Sequence, residues 1–581
     1  MVENHQTAHF RPPVRYLVRF PEPRTHYLSV EAFLPSGGQS EVEIFMPVWT
    51  PGSYLVREYA RHVEAVSATD AAGNPLSFVK SRKNRWKVRT GGAEEIRFAY
   101  QVYCREMSVR TNWVEESYAL LNGAATFVTL TECLAQPHEV KIELPAQWQT
   151  AMTGLTQTGP KSWLAEDYDT LVDSPILCGN PAVYRFEVGG IPHFLANEGE
   201  RGVWDGPRSA ADTEKVALRH REMWGSLPYK KYVFLNLLTE AWGGLEHRNS
   251  ACLMASRWAT RTRKGYLKWL HLVSHEFFHV WNIKRLRPLE LGPFDYENEN
   301  YTRSLWIAEG FTDYYGPLIV HRAELSTTEE YLDSLSETIH TLQSTPGRLV
   351  QSAEQASWDA WIKLYRPDEN SVNTTISYYT KGAVVAWLLD ARIRRATENA
   401  KSLDDAMRLA FENYSGERGF STEQFKALAA DVAGLTADEF FRRTVETTEE
   451  LDYTEALEWF GLRFKAQEVP KHGGAMGCET RIDHGRLIVK RVLRGTSAWH
   501  AGLSADDEII AIDDFRVHAD HISQRLEDYH PGDNVSVLIS RRDVLIRLDL
   551  TLGEEPKRWH LEILPDATDA QKQNLARWFG L

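Results

Sequence analysis

The sequence predicts a multidomain α+β protein, and three observations predict it. A chain of 581 residues is too long for one hydrophobic core, so three or four domains are expected. Hydrophobic residues make up 43% and charged residues 25%, as in an ordinary water-soluble globular protein. The hydrophobic period also changes along the chain, from alternating runs, through a mixed region, to helical spacing and back to short strands.

The elements follow in order. Residues 1–190 read as an all-β, sandwich-like domain. Alternating runs such as Ser40-Glu41-Val42-Glu43-Ile44-Phe45 and Glu139-Val140-Lys141-Ile142-Glu143-Leu144 are separated by turn signals such as Pro35-Ser36-Gly37-Gly38 and Ala72-Gly73-Asn74-Pro75. Residues 191–325 are mixed. A strand is expected at 231–238, then a Gly-containing loop, then a helix from Tyr266 to Ile283. Residues 326–460 read as mostly helical, with candidate N-caps at Ser326, Ser402 and Ser421. Residues 461–555 return to short strands at Leu487–Val489, Glu508–Ile512 and Val535–Ile539. The tail, 556–581, predicts one strand and a helix from Ala567 to Phe579. No fixed-period repeat or low-complexity tract stands out.

Composition excludes some functions. A formal net charge of −14 argues against a nucleic-acid or anionic-membrane surface. The five cysteines, Cys104, Cys133, Cys178, Cys252 and Cys478, lack C-x-x-C spacing, so neither a disulfide framework nor a thiolate zinc site is expected. Met1 to Phe20 carries Pro12, Pro13 and charges instead of an apolar core, and reads as no signal peptide. No run approaches the roughly 18 apolar residues of a spanning helix. The expectation is a cytoplasmic protein.

His275-Glu276-Phe277-Phe278-His279 carries the chemistry. In a helix, positions i and i+4 share a face, so the two imidazoles can bind one zinc ion with the glutamate near its open side. Glu276 can then take a proton from an attacking water. Catalytic zinc normally has a third protein ligand, and the candidates are Glu290, Glu297, Glu299 and Glu309. Glu297 and Glu299 sit in the polar stretch 296–300. Glu309 sits in the apolar, helix-like run Leu305 to Tyr315, the rigid support a metal carboxylate benefits from, and is preferred. Asp313, one turn on, is placed to accept a hydrogen bond from a liganding imidazole and so fix its tautomer.

H-E-x-x-H followed by E-G-x-x-D resembles the gluzincins, the thermolysin-like zinc peptidases whose third ligand is a glutamate. Glu309 lies 30 positions after His279, farther than is usual there, which an insertion around Arg287 to Tyr301 would explain. Other segments narrow the resemblance. Met46-Pro47-Val48-Trp49-Thr50-Pro51-Gly52-Ser53-Tyr54, Asp173-Ser174-Pro175, Trp281-Asn282-Ile283-Lys284-Arg285-Leu286-Arg287-Pro288 and Trp361-Ile362-Lys363-Leu364-Tyr365-Arg366-Pro367 are similar to segments of the glycyl aminopeptidase family, gluzincins that carry a PDZ domain. The resemblance implies a thermolysin-like catalytic domain at 191–325 with a helical subdomain at 326–460 and a PDZ-like domain at 461–555. It also implies a Zn2+ cofactor and removal of small N-terminal residues, such as glycine or alanine, from peptides with a free N-terminus.

Gly243-Gly244-Leu245-Glu246-His247 follows the predicted strand. An edge strand there can hold an extended peptide through its main chain, and a carboxylate at its end can pair with a protonated α-amino group. The alternative is a Gly-rich turn with a solvated glutamate. The segment resembles the family's G-G-x-E-H exopeptidase motif, which implies that Glu246 anchors the substrate amine and His247 helps to position it. Tyr378-Tyr379-Thr380-Lys381-Gly382 resembles the Y-x-K-G setting in which a tyrosine donates to the tetrahedral oxyanion. Tyr379 matches that position and Tyr378 is the adjacent alternative; a phenol, neutral at pH 7, suits the task. Residues 497–513 resemble the central motif of bacterial PDZ domains, with Asp506 where glycine is usual and Gly473-Gly474-Ala475-Met476-Gly477 near the carboxylate loop. A peptide ligand for that module and a packing role are both open. The reading is a zinc aminopeptidase; the alternatives are a PDZ scaffold with an inactive peptidase domain, or a zinc endopeptidase.

Overall fold

The computed structural model describes residues 12–436, 438–465, 473–518, 521–555 and 557–580; residues 1–11, the larger part of the segment read for a signal peptide, lie outside the described residues. The chain divides into two compact units, Met1–Thr302 with Tyr315–Ser326 and Met407–Ser421, and Arg303–Tyr314 with Thr327–Ala406 and Thr422–Leu581.

The first unit opens with a β domain. Its largest sheet has seven strands, with Val14–Arg19 central, paired to Tyr27–Pro35 on one side and His138–Glu143 on the other. Period-two alternation explains it. Leu28, Val30, Ala32 and Leu34 turn inward from one strand and Val14, Tyr16 and Val18 from its neighbour. Two four-stranded sheets complete the domain, one built on Glu41–Phe45 and the other on Ile176–Gly179. Residues 46–54 leave the end of Glu41–Phe45 as an irregular loop.

A mixed sheet follows, with strands β1 (Ala182–Val188), β2 (Ile191–Glu198), β3 (Tyr232–Leu238), β4 (Gly243–Glu246) and β5 (Ser250–Ala255) in the order β1-β2-β3-β5-β4. β2, β3 and β5 are parallel, and every residue of β3 and β5 is buried, as expected for parallel strands covered on both faces. β4 pairs antiparallel with β5 and forms the sheet edge. Helix α1 (Gly206–Trp224) and helix α2 (Arg263–Phe278) pack together. α2 is seated on the sheet by Phe277, whose ring centroid lies 4.9 Å from that of Tyr232 and 5.4 Å from that of Phe234. Trp269 Nε1 donates to Asn236 Oδ1 at 3.1 Å.

α2 begins earlier and ends earlier than the Tyr266–Ile283 expected. Thr262 caps it by accepting from Gly265 N at 3.1 Å. His279 is its C-cap, and Ile283 has φ +118, a value that no helix residue adopts. The stretch Arg287 to Tyr301, expected as an insertion, folds onto the β domain. Val48 N donates to Tyr296 O at 2.9 Å, Trp49 Nε1 to Asp295 O at 2.7 Å and Arg85 Nε to Glu297 Oε1 at 2.8 Å.

The second unit is helical in its first part. A π-helical turn spans Trp306–Gly310. The helix Thr328–Gln343 is capped by Thr327 and not by the expected Ser326, because Thr327 and Glu330 exchange side-chain-to-backbone bonds in a capping box. Helix α3 (Tyr378–Ala396) is buried over most of its length. A six-stranded sheet then includes Cys478–Asp483, Arg486–Val492, Glu508–Ile512, Asn534–Arg541 and Val544–Thr551. Asp506, expected where glycine is usual, has φ +68 and pairs with Arg481 at 3.1 Å. The left-handed backbone explains the usual glycine, and aspartate is among the few other residues that tolerate it. The tail folds as strand Leu561–Ile563 and helix Asp569–Phe579, anchored by Trp578 stacking on Phe460 at 4.3 Å. Among the described residues no helix is long and apolar enough to cross a membrane, and none of the five cysteines forms a disulfide.

Candidate metal and peptide site

The helical i, i+4 spacing brings His275 Nε2 to 3.0 Å from His279 Nε2. His279 is 1% exposed, and its Nδ1 lies 2.8 Å from the carbonyl oxygen of Asn282. A carbonyl can only accept, so Nδ1 carries the proton and Nε2 keeps its lone pair, as a metal ligand requires. The acceptor expected for a liganding imidazole, Asp313, is therefore not the one that orients His279; the chain's own exit from α2 does so. Two imidazole nitrogens converging on one point, with one lone pair fixed toward it, fit a catalytic zinc ion.

Glu276 is buried and lies against β4 at the point where β4 has no side chain. A Cβ built on Gly244 would collide with the Glu276 carboxylate and its Cδ. Gly244 is thus required for close approach, not for flexibility. Two residues on, buried Glu246 ends the strand. Its carboxylate rests on Gly52, which has φ +86, and a Cβ there would lie 2.5 Å from Glu246 Oε1. Glu246, Glu276 and His279 offer ligand or acceptor atoms within 4.8 Å of one another.

Behind Glu246 sits a charged cluster assembled from distant segments. Lys284 Nζ is 2.7 Å from Asp173 Oδ1, His247 Nδ1 is 3.1 Å from the same oxygen, and Arg248 N donates to Asp173 Oδ2 at 2.7 Å. Burial alone would push the Asp173 carboxyl up, but Lys284 and His247 outweigh it and hold the group well below the usual carboxylate range. Burial would likewise lower the Lys284 amine, and Asp173 and Glu246 together raise it. The signs fix a pH window. Asp173, depressed in the fold, contributes stability that is present above about pH 4 and lost as pH falls through its folded value. Lys284, raised, contributes below about pH 10 and loses it above. Asp173→Asn is expected to cost about 3–5 kcal/mol, because it takes the nearest counter-charge from a buried ammonium. Urea denaturation at pH 7 reads this directly, and a variant within about 0.5 kcal/mol of the parent would refute the cluster's importance.

In the second unit Glu309 is 1% exposed on the π-helical turn, a distortion frequent at functional sites. Gly310 crosses Gly382 of α3 in direct backbone contact: a Cβ on Gly382 would lie 2.5 Å from Trp306 O and 2.8 Å from Gly310 Cα. This crossing sets Glu309 beside Tyr379. Burial and the Glu309 charge raise the Tyr379 phenol well above its ordinary range, so it stays a hydrogen-bond donor. Tyr378, fully buried, stacks on Tyr379 at 4.8 Å between centroids.

Two of the other candidate glutamates are engaged elsewhere and the third is exposed. Glu297 accepts from Arg85 and Asn84, Glu290 accepts from Thr302 Oγ1 at 3.3 Å, and Glu299 is exposed. Spacing along the chain gives no hint that Gly52, Asp173 and Lys284 gather around Glu246 and His247. The only signal is that all five positions fall in segments resembling one family.

Residues 15–180 match the model of the Peptidase M61 N-terminal domain, and residues 268–385 match that of M61 glycyl aminopeptidase. These two matches define a chain of the peptidase class. Its matched segments are an M61 N-terminal domain and an M61 glycyl aminopeptidase domain. Glu246 lies between the two matched segments. An aminopeptidase N family protein from Idiomarina loihiensis superposes with a TM-score of 0.91 at 29% identity, covering 97% of this chain and 100% of that one. An M1 zinc metallopeptidase from Deinococcus radiodurans gives 0.47 at 14% identity, covering 76% of this chain and 95% of that one. No curated protein sequence matches the chain.

Proposed function

We propose that this protein is a zinc aminopeptidase that removes small N-terminal residues such as glycine or alanine from peptides. The observation that carries the reading is the line Gly52–Glu246–Gly244–Glu276, which sets one buried carboxylate at the end of an edge strand and a second against its middle. His275, His279 and Glu309 would hold the metal, two imidazoles and one carboxylate being a donor set that suits catalytic zinc, and the carbonyl of Asn282 orients His279. Asp313 is the candidate to orient His275. When bound, zinc polarises the scissile carbonyl and acidifies water.

The chain's own residues supply the rest. The main chain of β4, at Gly243 and Gly244, pairs with the extended substrate. Glu246 holds the protonated α-amine, steadied by His247 and Lys284 behind it. Glu276 takes the proton from the attacking water and passes it to the leaving amine. Tyr379 donates to the oxyanion that develops on the carbonyl. The preference for small first residues rests on the match to the glycyl aminopeptidase model.

A free glycyl substrate should be cleaved and its N-acetylated form refused. Equal rates on the two would sink the assignment in favour of an endopeptidase, and no cleavage of either with zinc bound would favour a scaffold. Glu246→Gln is expected to lower kcat/KM on the free peptide roughly a hundredfold, the scale of a buried charge pair lost, and to narrow the preference over the blocked one.

The C-terminal six-stranded block we read as a PDZ-like module in a packing role. The Gly473 and Gly474 amides already donate to Tyr529 O at 2.8 Å and Leu526 O at 3.2 Å, so they are not open to a chain-end carboxylate. The block is tied to the helical part of its own unit through Asn373, whose side chain donates to Val492 O at 2.8 Å and accepts from Arg494 N at 2.8 Å.

A further inference from the structure

The direction in which a peptide must lie along β4 follows from two contacts. The amine anchor Glu246 is at the C-terminal end of the strand. Glu276, which serves the scissile bond, presses on Gly244, two residues toward the N-terminal end. The substrate therefore runs antiparallel to β4, and its leaving part continues past Gly243. At about 3.3 Å per residue, the peptide reaches the stretch before β4 by its third or fourth residue.

That stretch is built to receive something. Trp242 immediately precedes Gly243 and is 45% exposed, unusual for the largest side chain on a strand approach. One face of its indole is held by Lys268 Nζ, 4.2 Å from the ring centroid. Lys268 lies on α2, two turns before His275, so Trp242 is braced by the same helix that carries the histidines. Just before it in the chain, Leu238, Thr239 and Glu240 line a cleft of about 400 Å³ that Arg257 and Glu198 share. The cleft lies at the C-terminal ends of the parallel strands β2 and β3, and its mixed charges suit peptide backbone and polar side chains more than a lipid or a single ion.

We propose that Trp242 is the subsite for the third and later residues of the peptide, so that the protein favours substrates of three or more residues over dipeptides. This rests on the aminopeptidase reading above and deepens it. The indole offers a flat apolar surface to the departing chain, and Lys268 fixes its orientation.

The test measures kcat/KM on glycyl peptides of two, three and four residues with the zinc-loaded full chain. In the parent the ratio of the four-residue to the two-residue value should exceed one. Trp242→Ala should lower that ratio roughly three- to tenfold, the scale of one aromatic contact, while Trp242→Phe keeps most of it. A ratio unchanged by Trp242→Ala overturns the inference alone. Failure of the parent to cleave any free glycyl peptide overturns the aminopeptidase reading and this inference with it.

Discussion

Glu276→Gln is expected to lower kcat by about 10²- to 10⁴-fold, the usual contribution of a positioned general base, with zinc content and KM little changed. The amide keeps the size of the carboxylate, so the contact with Gly244 survives. What it loses is the ability to accept a proton. Comparing metal content with steady-state rates on a glycyl peptide separates chemistry from folding. A variant retaining full activity would refute the mechanism.

Gly382→Ala is expected to have a large structural effect for a single added methyl. The new carbon would meet Trp306 O at 2.5 Å and Gly310 Cα at 2.8 Å. Both are backbone atoms, so no side chain can rotate away. Overpacking of this kind costs about 1–3 kcal/mol or more. Relief requires the π-helical turn to shift, and Glu309 rides on that turn. The expected outcome is a lower Tm together with weakened zinc retention and reduced kcat, because a displacement near 1 Å is costly in a catalytic site. Dialysis against a chelator, followed by metal analysis, reads the second effect independently of stability. An alanine variant with parental Tm and metal retention would show that the crossing is more yielding than its geometry implies.

How far the sequence can be read depends on how local each signal is. The strand Tyr232–Leu238 and the pairing of His275 with His279 follow from short-range spacing, and both are legible. So is the β character of the first domain, because alternation such as that of Leu28, Val30, Ala32 and Leu34 is a local pattern. The end of α2 is not legible. An apolar run continues through Val280 and Trp281, and the break appears only where Ile283 turns to φ +118. The acceptor for His279 escapes for a related reason: a backbone carbonyl has no residue type to betray it. The role of Arg287 to Tyr301 needs the β domain to be in place, since Arg85 and Trp49 are what engage it. Asp173 and Lys284 stand out as motif residues, but nothing in their spacing says that they meet each other. Gly52 and Gly244 are the extreme case. Both stand in motif segments, but nothing in sequence says why either must lack a side chain, and each is fixed by a carboxylate that arrives from elsewhere.

Gly52 carries a consequence for how the molecule can be divided. It lies in the segment that leaves the β domain, yet it forms the floor on which Glu246 rests. Asp173 closes the cluster from the far end of the same domain, and Lys284 from beyond the histidine pair. The proposed amine pocket therefore has no address in any one domain. A fragment lacking residue 52 or residue 284 lacks a wall, however well its own helices form. On the proposed function, an unfinished or clipped chain is expected to be inactive.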